Sequence, residues 1–211
     1  MPQSALETYT TYRTLARDLH SRIMNTCLDQ ATLCRAARLL GLVQGTTFVF
    51  ESEAEMSALM DFALHDCRTK QKNAIERYCA TVGETTQLER ELLDALRTAT
   101  TSLFRVLKLS GPDGTLLLED LLEHKEPIDL TDVGFSRSAQ PGFLLFVRLI
   151  ALPTLTMTSG AGFVFPAELE RDLLRRYTKL IKKRGPESLA IRRFVAFFGW
   201  NRMSGIEVLF E

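Results

Sequence analysis

The sequence has no run approaching the roughly 20 apolar residues that a membrane-spanning helix needs. Its start, Met1-Pro2-Gln3-Ser4, offers neither the basic nor the apolar stretch of a secretory leader. Both absences point to the cytoplasm. Net charge is absent as well: 26 Lys and Arg balance 26 Asp and Glu, which excludes a wholly basic nucleic-acid binder. With 45% apolar and 25% charged residues the chain is neither disordered nor fibrous. Cysteine is scarce, and Cys27, Cys34, Cys67 and Cys79 form no Cys-x-x-Cys pair of the kind that lets one turn supply two zinc ligands. His20, Cys27 and Cys34 recur every seven residues on one helical face, but that repeat rises about 10.5 Å, too far for two ligands to share one ion. His65 with Cys67 is the remaining candidate pair, and the simpler reading is four free thiols in a reducing compartment. There is no Gly-x-Ser-x-Gly elbow, no His-Glu-x-x-His, no P-loop and no dinucleotide fingerprint, so no cofactor is implied. An enzyme would have to converge several of His20, His65, His124 and an acidic cluster on one pocket.

What is present divides into three parts. Residues 1–100 read as a helical region, 101–165 as strands and 166–211 as a helical segment packed on them. Tyr12, Leu15, Leu19, Ile23, Cys27, Ala31 and Cys34 make one stripe ending near Gly41, a C-cap residue, although Asp29 is placed to start a second helix. Arg35 to Leu42 looks like the first helix and turn of a helix-turn-helix, but Val43 to Phe50 is poor material for a recognition helix. Ser52 with Glu55, and Thr86 with Glu89, have the spacing of capping boxes. In the middle, Leu103–Leu109 and Thr115–Leu122 flank Gly111-Pro112-Asp113-Gly114 and predict a hairpin. Ile128–Val133, Phe143–Leu152, Leu155–Met157 and Phe163–Phe165 follow, the last two separated by a Gly160-Ala161-Gly162 turn. Five or six short strands suggest an α+β protein built on a small SH3-like or OB-like β-barrel, with an open meander as the alternative.

The zero charge hides an asymmetry. Residues 166–203 hold ten Lys and Arg against four Asp and Glu, whereas residues 1–165 hold sixteen against twenty. Arg171, Arg175, Lys179 and Lys182 form a stripe opposite Leu169, Leu173, Tyr177 and Leu180; Lys183, Arg192 and Arg193 extend it, and Arg137 lies in a polar loop that could meet an anion. Asp113, Glu119, Asp120, Glu123, Glu126, Asp129 and Asp132 are the acidic counterpart, able to solubilise strand edges or to receive the basic helix of the same or another copy. The expected function is a non-catalytic binding or protein-interaction module, with an acidic protein surface or a second copy as partner. Nucleic-acid binding through the basic helix and a barrel face is the alternative.

Overall fold

The computed structural model describes residues 5–83, 85–110 and 114–206. Met1-Pro2-Gln3-Ser4 and the residues Gly111, Pro112 and Asp113, which the sequence predicted to turn, lie outside them.

The first apolar stripe becomes two helices. Helix α1 (Ala5–Cys27) buries Tyr9, Tyr12, Ala16, Leu19 and Ile23. It gives way at Asp29, whose extended backbone and side-chain bond from the Thr32 N–H, 2.7 Å, start α2 (Gln30–Leu39). That backbone donor also holds the Asp29 carboxyl below its usual range. The seven-residue recurrence of His20, Cys27 and Cys34 therefore does not run along one axis. Helix α2 closes in a Schellman motif: Gly41 N–H donates to Arg38 O, Leu42 N–H donates to Ala37 O, and Gly41 takes φ +71°, which a side chain would disfavour. No helix follows. Strands β1 (Val43–Gln44) and β2 (Thr47–Phe48) pair antiparallel across Gly45 and Thr46 instead.

Helix α3 (Glu53–His65) starts at Ser52, but the expected capping box does not form, because Glu55 accepts from Glu51 N–H at 2.8 Å and the Ser52 side chain makes no capping bond. The Thr86/Glu89 box is complete at the start of α5 (Gln87–Thr98), and Asn73 with Glu76 makes a second one at the start of α4 (Ala74–Thr81). Tyr12 ties α1 to α5 by donating to Glu91 Oε2 at 2.5 Å. Burial first, and then this bond to the carboxylate, push the Tyr12 phenol up to about 12. A raised folded value stabilises below the ordinary tyrosine range of about 10 and is lost as pH climbs through 12. Alkaline titration of phenolate absorbance should show a late step near pH 12 that Tyr12→Phe removes.

The remaining strands are β3 (Thr100–Ser110), β4 (Thr115–Asp120), β5 (Ile128–Thr131), β6 (Leu144–Ala151) and β7 (Thr156–Phe165). They form one open sheet in the order β5-β4-β3-β6-β7, so the small barrel of the sequence reading is not formed. The predicted β3–β4 hairpin is present, with a register shift between Val106 and Lys108. Strand β6 returns antiparallel to the far side of β3. Two local features keep the sheet from closing. Gly160, Ala161 and Gly162 do not turn but lie inside the ten-residue β7, so there is one strand fewer than six. Strand β5 is only four residues long and ends where Asp132 caps the short helix α6 (Val133–Ser136), leaving no ladder for β7 to join. The curled edges meet through a side chain instead, Thr158 Oγ1 donating to Asp132 Oδ2 at 2.7 Å.

One face of the sheet buries Phe104, Val106, Leu116, Leu118, Leu130, Leu145, Val147 and Val164 together with Phe135 of α6. Alternation sends Phe146, Phe163 and Phe165 to the other face. There they meet Phe194, Phe197 and Phe198 of α8 (Leu189–Ser204). Helix α7 (Glu170–Lys182) precedes α8, entered through a 3₁₀ turn at Ala167–Leu169 after Pro166.

The chain divides into two units. One holds the described residues up to Ala99 together with Ile150–Leu155, and the other holds Thr100–Leu149 with the described residues from Thr156 onward. Among the described residues no helix is long and apolar enough to cross a membrane.

Candidate functional site

Helix α7 is strongly amphipathic because its apolar residues fall on one side. Leu173 is buried, and Tyr177 lies with its ring centroid 6.2 Å from that of Phe197. At 3.6 residues per turn, Arg171, Arg175, Lys179 and Lys182 fall within an arc of about 80° on the opposite side and span about 16 Å of the axis. All four are exposed, as are Lys183 and Arg184 beyond the helix end. The predicted stripe is therefore one face.

The carboxylates of the same helix are already engaged. Arg105 of β3 grips Glu170 in a two-pronged contact, Nε to Oε2 at 2.9 Å and Nη2 to Oε1 at 2.5 Å, while its Nη1 reaches Glu119 of β4 at 2.9 Å. Glu170, largest among the causes, raises the Arg105 guanidinium further above its usual range. Asp172 lies 2.5 Å from both Arg175 and Arg176, and the Arg175 bond first of all holds its carboxyl low. Arg176 also lies over the Trp200 ring, 5.9 Å from its centroid. That leaves Arg171, Lys179, Lys182, Lys183 and Arg184 without an ion pair among the described residues.

Not every predicted cation joins them. Arg192 turns back to the end of α7 and donates to Leu180 O at 3.1 Å and Lys183 O at 2.6 Å, satisfying carbonyls that a helix terminus leaves open. Gly185 makes room for it, since a Cβ there would lie 3.2 Å from Arg192 Cδ. Arg193 is buried, with Nη1 3.9 Å from Glu123 Oε1. Both serve the fold, because the inward face of α8, with Ile191, Phe194, Phe197 and Phe198, carries the neighbouring arginines with it. Arg137 is exposed at the C-cap of α6, on a different element from the stripe.

The acidic counterpart does not form one patch. Asp120 is 3% exposed and accepts from Ser102 Oγ at 2.6 Å and from the N–H groups of Leu122 and Glu123. Asp132 is fully buried. Glu119 pairs with Arg105, and Glu123 pairs with Lys125 at 2.5 Å. Glu126 and Asp129 stay exposed, and Asp113 lies outside the described residues. Thus the acidic set meets the predicted basic residues at Arg193 and Glu123, while the exposed cations of α7 pair with none of it among the described residues. The Arg105 clamp had one sequence signal, a charged residue at an alternating position of an apolar strand.

The histidines behave differently from the basic helix. His20 and His65 come together in the first unit, ring centroids 6.1 Å apart, with His65 Nε2 3.8 Å from Asp61 Oδ1; His124 is in the second unit. Cys67 is buried near the end of α3, and Cys27, Cys34 and Cys79 are half-buried. Burial raises the Cys79 thiol above its usual range, which disfavours the reactive thiolate. Among the described residues no three His, Cys, Asp or Glu side chains are grouped to hold a metal ion.

Comparison with curated proteins and with solved structures returns no match. A family model does match, over residues 3–211. The chain, with its open sheet and its basic-faced α7, belongs to the family of unknown function DUF7986.

Proposed function

We propose that this protein is a non-catalytic binding module that docks an acidic protein surface on the outer face of α7. The observation that carries the reading is the division of charge on that helix: both carboxylates, Glu170 and Asp172, are held by arginines, while Arg171, Lys179 and Lys182 remain exposed and unpaired among the described residues. A protein partner fits better than nucleic acid for two reasons. The positive field is local, because Thr100–Leu149 and residues 156–211 together carry fifteen Lys and Arg against thirteen Asp and Glu. Moreover, Phe104, Phe146, Phe163 and Phe165, the sheet's aromatics, are buried and present no face for base stacking. Glu126 and Asp129, exposed beside the β5 edge, offer a suitable surface on a second copy. A cytoplasmic setting agrees with four cysteines that form no disulfide.

The test is anisotropy at low salt with a labelled Asp- and Glu-rich peptide. Replacing Arg171, Lys179 and Lys182 by Gln should weaken binding by about ten-fold, three exposed contacts being worth roughly 0.2–1 kcal/mol each. Sedimentation at low and high salt reports whether a second copy is the partner. Equal binding by the triple variant overturns the reading. Tighter binding of DNA, with a log–log salt slope of about −3 to −4 for up to four phosphate contacts, turns it to nucleic acid.

A further inference from the structure

Helix α7 carries a second strip beside its basic arc. At 3.6 residues per turn, Leu174, Thr178 and Ile181 fall within an arc of about 60° that borders Arg171 and Lys182. Leu174 is half-buried, Thr178 is exposed and Ile181 is 46% exposed. The Thr178 hydroxyl turns back to donate to Leu174 O at 2.8 Å, so its polar atom is satisfied within the helix and its methyl group extends the strip. Leu189, 41% exposed, stands one turn before Arg192 on α8. Arg192 reaches back to Leu180 O and Lys183 O, so that side of α8 lies against the end of α7. The apolar strip therefore runs from Leu174 through Thr178 and Ile181 toward Leu189.

Aliphatic groups and cations side by side select one kind of partner. A phosphate backbone would use the cations and gain nothing from Ile181 and Leu189. A strand finds no edge to pair with, because the backbone groups of α7 are engaged within the helix and, at its end, by Arg192. A bilayer surface takes up helices through a broad apolar face, whereas this strip is narrow, since Leu173 and Tyr177 on its far side turn into the unit. An apolar row at i, i+4 and i+7 with charge along one border is the surface that receives a second helix, whose flanking charges then set its orientation. The unit that carries α7 holds fifteen Lys and Arg against thirteen Asp and Glu, so its overall field adds to the local attraction for carboxylates.

We infer that the outer flank of α7 seats an amphipathic helix of an acidic partner, its apolar residues against Leu174, Ile181 and Leu189 and its carboxylates against Arg171 and Lys182. The inference rests on the reading of α7 as an acid-binding face and adds what that face selects. Charge supplies the attraction, and the aliphatic strip supplies the choice of a helical ligand over a flexible acidic chain.

The experiment compares two labelled peptides of equal length and equal Glu content on the full chain by anisotropy. One places Leu at i, i+4 and i+7 beside a row of Glu; the other has the same residues in an order that forms no apolar row. The wild type should bind the first about ten-fold more tightly, the gain expected from partly burying two or three aliphatic side chains. That preference should persist at high salt, where charge attraction is screened, a readout that needs no variant. Ile181→Ser with Leu189→Ser should abolish the preference while leaving the second peptide's affinity and the unfolding midpoint unchanged, both positions being exposed. Replacing Arg171, Lys179 and Lys182 by Gln should weaken both peptides alike. Equal binding of the two peptides by the wild type, or a serine variant that keeps the preference, overturns the inference and leaves the acid-binding reading standing. Binding of neither peptide overturns both. Sedimentation of the chain with phosphatidylcholine vesicles containing phosphatidylserine, lost in the serine variant and with no preference between the peptides, overturns the helix assignment in favour of a membrane surface.

Discussion

Phe197→Ala is expected to destabilise the second unit by about 3–5 kcal/mol, the range for emptying a large aromatic site in a packed core. Phe197 is fully buried at the centre of an aromatic cluster. Its ring stacks on Phe146 with centroids 4.1 Å apart and planes 8° from parallel, and it meets Phe165 and Trp200 edge-on at 6.2 and 4.8 Å. Each such pair adds roughly 0.5–1.5 kcal/mol beyond area burial, so the upper half of the range applies. Phe197→Leu keeps most of the apolar volume and should cost roughly 1–2 kcal/mol. The chain has a single tryptophan, Trp200, in contact with this ring. Urea unfolding followed by its fluorescence reads the cluster directly, and an unchanged midpoint for Phe197→Ala would contradict the packing described.

Asp132→Ala should be nearly as damaging, at about 3–5 kcal/mol. Its carboxyl is fully buried, with Oδ1 accepting from Phe135 N–H at 2.9 Å and Oδ2 from Thr158 Oγ1 at 2.7 Å. Alanine leaves both donors inside the protein, and a bond lost from a charged or buried acceptor costs roughly 1.5–3 kcal/mol. Asp132→Asn retains one carbonyl oxygen for the cap, and the Thr158 hydroxyl can reorient toward its amide. About 1–2 kcal/mol is expected. Thr158→Val alone should resemble the Asn variant, and the double variant Asp132→Ala/Thr158→Val should cost less than the sum of its parts, because each removes the other's partner. Chemical denaturation of the four proteins completes the cycle.

These residues show what was legible in the sequence and what was not. The helix boundaries at Asp29, Thr86 and Gly41 were readable because capping is local: the residue that stops or starts a helix bonds within four positions of itself. The β3–β4 hairpin was readable for the same reason. Closure of the sheet was not, since whether β5 meets β7 depends on residues 26 apart, Asp132 and Thr158, neither of which has a distinctive local pattern. Gly160 and Gly162 misled because glycine marks turns, yet it also sits in strands that curve. For the candidate site, the spacing of Arg171, Arg175, Lys179 and Lys182 placed them on one face correctly. What spacing could not show was that Arg192 caps α7, that Arg193 is buried, or that Asp120 and Asp132 turn inward while Glu119 and Glu123 pair locally. Those outcomes depend on which partner lies across the packed interface of one unit, information that a single helical period does not carry.

The short return of the chain at Ile150–Leu155 also sets an order of events during synthesis. These six residues count with the first unit, although fifty residues of the second unit precede them. At about 5–20 residues per second, a ribosome needs roughly 3–10 s to make that intervening stretch after Ala99. The helices of the first unit are therefore complete in sequence at Ala99 but lack the buried Ile150 and Leu152 until the chain has been made through β6 to Leu155. The unit whose helices are made first is completed by a piece made late, so elongation through β3 to β6 sets the earliest moment at which that unit can be whole.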